Sequence, residues 1–318
     1  MSTVVCAGLC VCDIIVSGVS RDIFSRDTMM LGSMSVLPGG DAFNVATGLA
    51  RLGTPSGLAG CVGDDPNGDF LRRKLLEGGV QDFLVTDPAL ATAVSLVLTD
   101  DKGERHFLYH PGANDAFSSA HILDRALCDA RHLHVSGALL LKTLDGQLAD
   151  LMQAARDKGI STSMDVAHDP SGQWFDKLQG VLPHVDVFLP SLEEARNLTG
   201  EEDPERIADF LLSRGVRVLV LKQGARGCYA TDGRDTHVIP AFDCVPVVDT
   251  VGCGDAFCAG FLHHWLNSGD LYRSALFASA AAGHCLGHAG AGIRCDAAEL
   301  QGLLHRQKDI WSRERRRA

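Results

Sequence analysis

The chain has 318 residues, of which 46% are hydrophobic and 22% charged, and its formal net charge is −11. These values are ordinary for a globular protein with one large α/β domain or two smaller ones. The negative charge argues against a general nucleic-acid surface, and no apolar run reaches the ~20 residues of a membrane helix. Because residues 1–12 also lack the basic start of a signal peptide, we expect a cytoplasmic protein that binds neither nucleic acid nor membrane.

The first predicted strand delivers a carboxylate to the edge of a sheet. Residues 4–11 form a continuous apolar run, which is typical of a buried parallel strand. Asp13 follows this run, and ligands collect at the carboxyl ends of the strands in open α/β sheets. Asp13 is therefore a candidate ligand-binding residue, with a local loop cap as the alternative.

Two segments interrupt the alternation of strands and helices and predict a small accessory sheet. Residues 13–38 alternate loosely and contain no convincing helix. Predicted strands at 93–98 and 105–109 flank a DDKG turn at 100–103, which is a hairpin signal. The PGAN turn at 111–114 can then return the chain to the edge of the main sheet.

A glycine pair, Gly39 and Gly40, leads into a predicted helix with Asn44 in its first turn. Bare glycines let a ligand approach the backbone closely, and an amide side chain both donates to and accepts from a hydroxyl. Taken alone, a plain helix entry explains this motif better than a binding site does.

From residue 132 onward, predicted strands and helices alternate regularly, as in a parallel sheet with helices on both faces. One strand ends at Lys222 and is followed by Gly224 and Gly227. Two glycines three apart at a strand end let a flat group such as a purine lie near the backbone, although a hairpin explains them almost as well.

The stretch DTVGCGDAF at 249–257 combines a turn, two glycines and a carboxylate. Its glycines let a strand end open into the first turn of a helix, where unpaired N–H groups and the helix dipole favour an anion. Asp255 would lie beside these donors and could take a proton from an attacking hydroxyl. The stretch therefore predicts a phosphoryl-transfer site, and a capped turn without catalytic function is the alternative.

Four separated pieces agree in order and spacing: Asp13, the motif at 39–44, the loop at 222–227 and the stretch at 249–255. In this arrangement the chain resembles the ribokinase-like (PfkB) family of carbohydrate and nucleoside kinases. The resemblance runs from about residue 4 to residue 288 and includes both family signatures, PGGDAFNVATGLARLG and DTVGCGDAFCAGF.

The resemblance implies a three-layer α/β/α fold with a central, mostly parallel sheet and a small β lid over the sugar. The main domain would comprise residues 1–12, 39–90 and 114–305, the lid residues 13–38 and 91–113, and a basic C-terminal tail residues 306–318. Because lid edges in this family often pair between subunits, we also expect a homodimer.

The resemblance implies a function for each matching residue. Asp255 would be the catalytic base, and Gly252, Cys253 and Gly254 would form the anion hole. The implied sugar ligands are Asp13, Gly39, Gly40 and Asn44. We also expect Asp41, whose carboxylate can accept sugar hydroxyls, and Asn114, in the turn that returns to the site edge, to bind the sugar. The implied nucleotide ligands are Lys222, Gly224, Gly227 and Ala282. Glu194 would bind Mg²⁺ through water, and Asp249 with the Val251 carbonyl would bind a monovalent cation such as K⁺.

The implied reaction is in-line transfer of the γ-phosphoryl group of ATP, with Mg²⁺, to a hydroxymethyl group of a ribose- or fructose-like sugar. The chain departs from the family pattern at Ser191, where Asn is usual, and at Asp41, where ribokinases usually carry Lys. Some members carry an Arg for acidic substrates near 165–169, whereas this chain has His168 and Asp169. Since a carboxylate there would repel an anion, we predict a neutral sugar or nucleoside.

Three alternatives stay open: a nucleoside kinase, a kinase of a small alcohol such as a vitamin precursor, and a catalytically idle relative that binds a sugar or nucleotide. The intact Asp255 and both of its neighbouring glycines argue against the idle relative. The two-segment lid favours a sugar-type substrate over a small alcohol.

Overall fold

The structure of the protein, a computed structural model, describes residues 3–100, 105–123, 125–242 and 245–314. Its strands are β1 (Thr3–Gly8), β2 (Val11–Val19), β3 (Ser33–Gly39), β4 (Ser56–Ala59), β5 (Cys61–Gly63), β6 (Gln81–Asp82), β7 (Val85–Asp87), β8 (Val94–Asp100), β9 (Arg105–His110), β10 (Ala130–Ala138), β11 (Ser161–Val166), β12 (Val187–Phe188), β13 (Val218–Lys222), β14 (Cys228–Thr231) and β15 (Thr236–Ile239). Its helices are α1 (Asp41–Arg51), α2 (Pro66–Glu77), α3 (Ser119–Leu123), α4 (Lys142–Asp145), α5 (Leu148–Asp157), α6 (Trp174–Leu178), α7 (Leu192–Thr199), α8 (Pro204–Ser213), α9 (Cys253–Ser268), α10 (Leu271–Leu286) and α11 (Ala297–Glu314).

The main sheet has nine strands in the order β15-β14-β13-β12-β11-β10-β1-β4-β6. The pairs from β13 through β1 to β6 are parallel, and β14 and β15 extend one edge in antiparallel fashion. Alternate residues of β1 point into two separate hydrophobic clusters, with Val4 and Cys6 in one and Val5 and Ala7 in the other. Helices therefore cover both faces of the sheet, and the predicted three-layer α/β/α fold is confirmed.

The first strand is shorter than predicted. β1 ends at Gly8, whose φ is +147°, and a side chain there would overlap the Ser136 carbonyl. The chain then starts a new strand, β2, at Val11. The prediction that Asp13 follows the first strand of the main sheet was wrong, because Asp13 lies within β2, in a second sheet. The apolar run in the sequence continues across the break between β1 and β2, so the pattern does not show the break.

The second sheet has four strands in the order β3-β2-β8-β9. Asp13, Ser95 and Tyr109 are cross-strand neighbours, so their side chains share one face of this sheet. The predicted antiparallel pair of strands is present as β8 and β9, whereas residues 101–103 of its DDKG turn lie outside the described residues. The boundaries of the lid remain a prediction.

Small residues bring three helices into close contact beneath the carboxyl ends of the strands. A Cβ at Gly260 of α9 would lie 2.7 Å from Ala281 Cβ of α10, and a Cβ at Gly48 of α1 would lie 2.8 Å from Ala259 Cβ of α9. Neither glycine can carry a side chain without displacing its neighbour helix. This packing fixes the first turns of α1 and α9 relative to each other.

Two features at the periphery bear on the sequence predictions. Helix α11 runs through Glu314 and thus extends into the basic segment 306–318. Within the described part of the chain, no helix has the length and apolar character needed to cross a membrane.

Candidate active site

The first turns of α1 and α9 join the two motifs that the sequence analysis singled out. Asn44 Nδ2 donates to Asp255 Oδ2 at 2.8 Å, although 211 positions separate these residues in the chain. Asn44 is buried and Asp255 is half-buried. Because the bond uses only Oδ2, Oδ1 of Asp255 can face a ligand.

An open cradle for an anion lies beside this bond. Gly252 adopts the left-handed conformation (φ 72°) immediately before α9, and a side chain at this position would overlap Ala291. The first N–H groups of the helix have no intrahelical acceptor and lie at the positive end of its dipole. The nearest atom to a Cβ built at Gly254 would be Lys222 Nζ, at 3.6 Å. A phosphate group fits such a cradle.

Lys222 places its ammonium next to the cradle. It is the last residue of β13, and its Nζ lies 3.8 Å from Cys258 Sγ. Burial alone would lower the pKa of Lys222, but the acidic groups around it, first Cys258 and Asp165, raise that pKa above its ordinary value. The side chain is therefore a permanent cation, and its head group lies at the cradle rather than along the turn at 224–227.

A buried carboxylate that the sequence analysis missed, Asp165 in β11, connects three parts of the site. The residue is 2% exposed. Its Oδ1 accepts from Gly137 N at 2.9 Å, and its Oδ2 accepts from the Cys258 thiol at 3.4 Å. Asp165 thus ties β10, α9 and the Lys222 ammonium together. The sequence could have indicated Asp165 as a site residue, because it ends the predicted strand at 161–165 and ligands collect at the carboxyl ends of strands.

His134, Asp165 and Cys258 are the only trio of potential metal ligands found among residues whose placement the structure describes. Both ring nitrogens of His134 are within hydrogen-bond distance of serine hydroxyls, Ser163 at 2.8 Å and Ser136 at 2.9 Å. Because these nitrogens already have partners and a lysine ammonium lies beside Cys258, we interpret the group as an internal hydrogen-bond network.

The electrostatic environment favours a base that titrates near neutrality. Burial raises the pKa of Asp255 to about 7, and the charge of Asp165 adds to this rise. The hydrogen bond from Asn44 and the charge of Lys222 act in the opposite direction. A carboxylate with a pKa near the working pH combines a useful ionised fraction with good proton affinity.

Two further carboxylates line the side of the site that faces the second sheet. A side chain at Gly39 would overlap the Asp13 carboxylate, so this carboxylate lies directly against the Gly39 backbone. Burial raises the pKa of Asp13 to about 7. Asp41 begins α1 after Gly40, and its pKa is raised by burial and by the charge of Asp255. Both carboxyls can accept hydroxyl protons in hydrogen bonds.

The side-chain amide of Asn114, a predicted sugar ligand, is hydrogen-bonded within the protein. Its Nδ2 donates to Cys10 O at 3.2 Å and to Tyr109 Oη at 3.0 Å, and its Oδ1 accepts from Cys10 N at 3.4 Å. The residue is completely buried. Since both amide hydrogens have partners within the protein, Asn114 positions Tyr109 and does not itself offer a donor to a sugar.

Asp169 also differs from its expected function, because its carboxylate is satisfied internally. It is buried, pairs with Lys177 at 2.9 Å, and accepts from Ser171 N at 3.0 Å and from Gln173 N at 2.7 Å. It therefore closes the loop before α6, and it does not supply the unpaired charge that the argument for a neutral acceptor assumed.

The other residues assigned to the nucleotide lie in the turn after β13 and on α10. Gly224 opens an exposed 3₁₀ turn, and a Cβ at this position would have no neighbour within 4 Å. Gly227 follows with φ +86°. Ala282 is half-buried on α10, which packs against the strand β14 that follows the turn. The turn is thus open enough for a flat group.

Glu194 and Asp249 both have well-defined hydrogen-bond partners. Glu194 Oε2 accepts from Ser191 N at 2.7 Å in a capping box at the start of α7, and Ser191 forms a parallel bridge with Lys222. Asp249 Oδ1 accepts from Val251 N at 2.8 Å and its Oδ2 from Gly290 N at 2.7 Å. The first carboxylate lies beside the cradle, and the second joins two loops.

A buried carboxylate, an anion cradle and a fixed cation in one cleft are groups that phosphoryl transfer can use. Residues 1–298 match the model of the pfkB family of carbohydrate kinases, so the chain belongs to this family and is a carbohydrate kinase. This confirms the resemblance drawn from the two signatures.

Two relatives agree with this assignment, and a solved structure shares the fold. The chain is 34% identical to an ATP-dependent ribose-1-phosphate kinase of Halopiger xanaduensis over 80% of this chain and 81% of that protein. It is 30% identical to the aminoimidazole riboside kinase of Salmonella typhimurium over 76% and 78% of the two chains. A candidate ribokinase II of E. coli, solved with ATP and Mg²⁺, shares the fold with a TM-score of 0.86 at 23% identity, covering 96% and 100%.

The electrostatics of Asp255 predict opposite shifts for two substitutions. Asp165→Asn keeps the shape of the side chain but removes a negative charge, so the pKa of Asp255 should fall and the acidic limb of the kcat–pH profile should move to lower pH. Lys222→Met removes a positive charge and should move that limb to higher pH. Rate profiles between pH 5 and 9 measure both shifts, and a shift of both variants in the same direction would contradict the assignment.

Proposed function

We propose that the protein phosphorylates a hydroxymethyl group of a neutral, ribose- or fructose-like sugar with ATP as the donor. The observation that carries this proposal is the Asn44–Asp255 hydrogen bond beside the open cradle at Gly254. It positions a carboxylate base within the same cleft as a phosphate-sized anion site. The name of the Halopiger relative supports ATP as the donor.

In the proposed mechanism, Asp255 accepts the proton of the attacking hydroxyl while Asn44 holds the carboxylate in orientation. The first-turn N–H groups of α9, from Gly252 to Gly254, hold the transferred group, and the Lys222 ammonium stabilises its negative charge. Such a transfer depends mainly on positioning and charge stabilisation, so a separate covalent nucleophile is not needed.

Glu194 is the proposed contact to Mg²⁺, through water. Its carboxylate adds to the negative potential around Lys222 and Asp41, and only Oε2 is used in the capping box. Bound Mg²⁺ would neutralise charge on the donor phosphates. A monovalent cation at Asp249 and the Val251 carbonyl remains part of the proposal, because carboxylate oxygens that accept one N–H can also ligate a cation.

The carboxyl groups near the second sheet support a sugar acceptor. Asp13 and Asp41 both lie there with raised pKa values, so each carboxyl can accept a hydrogen bond from a sugar hydroxyl and, in its protonated form, donate one. A phosphorylated sugar is the second candidate, since the Halopiger relative is a ribose-1-phosphate kinase and Asp169 is neutralised by Lys177.

The second sheet is proposed to act as a lid and as the surface of a homodimer. Its outer face carries a cross-strand row of apolar residues, Val36, Ile14, Leu96 and Leu108. Leu108 is 56% exposed and Val36 is 42% exposed. A contiguous exposed apolar row on a sheet is typical of a contact surface, and a second copy of the chain offers a matching row.

Replacement of the base tests the mechanism. Asp255→Asn should lower kcat for the preferred sugar by about 10²–10⁴-fold, because an amide cannot accept the proton, while KM changes little. ADP release measured against a panel of neutral sugars, nucleosides and sugar phosphates gives both constants. Asp69→Asn, the same change at an exposed carboxylate on α2, is the matched control and should leave kcat unchanged. Near-normal turnover by Asp255→Asn would rule out the proposed base.

Replacement on the outer face of the second sheet tests the dimer. Leu108→Arg places a charge in the apolar row, so light scattering coupled to gel filtration should show a monomer where the unaltered protein is a dimer. Leu76→Arg, at a residue of α2 that is 62% exposed, is the control and should leave the dimer intact. A monomeric unaltered protein would contradict the proposal.

A further inference from the structure

A cavity of about 910 Å³ opens beside the part of the site that faces the second sheet. It lies between β9, the loop after β10, and helices α5 and α6. Its volume is within the range of about 300–1,000 Å³ that is common for small-molecule pockets. A free monosaccharide held by Asp13 and Asp41 would leave this space unused.

Tyr109 connects the cavity to the sugar side of the site. It lines the cavity, and its position in β9 is joined to Asp13 in β2 through the shared neighbour Ser95. Asn114 Nδ2 donates to Tyr109 Oη at 3.0 Å, which fixes the ring and leaves the phenol hydrogen for another partner.

The loop after β10 forms a second connection. A Cβ at Gly137 would lie 2.9 Å from Asp41 Oδ2, and Leu139, two positions further, lines the cavity. Leu139 has φ +79°, and its N–H donates to Asp145 Oδ1 at 2.9 Å. The same loop therefore lies next to the Asp41 carboxyl at Gly137 and forms part of the cavity wall at Leu139.

The walls offer apolar surfaces for a flat group. The aromatic and aliphatic lining residues are Tyr109, Pro111, Leu139, Leu140, Ala149 and Val181. A tyrosine ring with aliphatic neighbours suits stacking of an aromatic ring.

The charges that line the cavity disfavour a phosphate. Three carboxylates, Asp115, Asp145 and Asp176, face two lysines, Lys142 and Lys177. Lys177 is already paired with a carboxylate outside the cavity, at 2.9 Å. Both oxygens of Asp145 already accept backbone N–H groups, from Leu139 and Leu141. The carboxylates of Asp115 and Asp176 suit a neutral group that carries N–H donors.

We propose that this cavity is a subsite for a neutral heteroaromatic substituent on the acceptor sugar, so that the acceptor is of the nucleoside class. The inference rests on the proposed function and specifies its acceptor. The sugar ring binds between Asp13 and Asp41, and the heterocycle extends from it past Tyr109 into the cavity.

The test compares four acceptors, inosine, cytidine, free ribose and ribose 1-phosphate, with the full-length protein and ATP. Inosine or cytidine should have a kcat/KM at least about tenfold above that of ribose, which corresponds to about 1.4 kcal/mol. Tyr109→Ala should lower kcat/KM for the nucleoside at least about tenfold, mainly through KM, and should leave ribose within about threefold. Tyr109→Phe retains the ring and should keep most of the nucleoside activity.

A second variant avoids the Asn114 contact. Ala149→Trp fills the cavity from α5 and should reduce nucleoside use selectively while leaving ribose phosphorylation unchanged. Nucleoside activity that is insensitive to both Tyr109→Ala and Ala149→Trp would overturn the inference. Ribose phosphorylation without nucleoside activity would overturn the inference and leave the proposed function standing. A preference for ribose 1-phosphate that Lys142→Glu abolishes would overturn the inference and favour the second candidate acceptor, a phosphorylated sugar. Failure to phosphorylate any acceptor would contradict both.

Discussion

The hydrogen bond from Asn44 to Asp255 is the contact on which the rest of the site depends. It spans α1 and α9, and these helices approach closely because Gly48 carries no side chain against Ala259. Movement of either helix would separate the carboxylate from the amide that orients it. The same movement would displace the first turn of α9, which holds the anion cradle. One packing constraint therefore positions both the Asp255 carboxylate and the anion cradle.

The charge distribution around Lys222 is the second organising feature. The carboxylates of Asp165, Asp255 and Glu194 lie around the Lys222 ammonium and raise its pKa. Burial raises the pKa of Asp41, and the positive charge of Lys222 in turn acts against this rise. Buried charges are costly unless they are paired, so each carboxylate depends on the lysine, on hydrogen bonds or on protonation. This balance gives Asp255 a pKa near 7 and prepares a positive group for an incoming phosphoryl oxygen. For the same reason, removal of the Asp165 carboxylate should lower the pKa of Asp255.

Much of the fold followed from local patterns, because parallel strands buried on both faces are continuous apolar runs and glycines end the elements between them. The functional side of the chain was less predictable. The rule that ligands gather at strand ends selected Asp13, which instead lies in the second sheet, and was not applied to Asp165, which closes β11. When an apolar run continues from one strand into the next, the sequence does not show that the chain has passed from one sheet to another.

Hydrogen bonds between residues that are far apart in the sequence were the second feature that sequence analysis could not predict. Asn114 was predicted to bind the sugar because it ends a turn that returns the chain to the site edge, but its amide is hydrogen-bonded to Cys10 and Tyr109. Asp169 looked like a specificity residue, but it pairs with Lys177. Both side chains sit near the site, and only three-dimensional contacts show that their polar atoms are already occupied.

The account is tested most directly by a crystal structure with the preferred acceptor and a non-hydrolysable ATP analogue. We expect the acceptor hydroxymethyl oxygen within hydrogen-bond distance of Asp255 Oδ1, and the terminal phosphate at the N–H groups of Gly252 to Gly254, with Lys222 Nζ beside it. A terminal phosphate bound elsewhere, or an acceptor hydroxyl that faces Asp13 while Asp255 contacts only Asn44, would contradict the central claim.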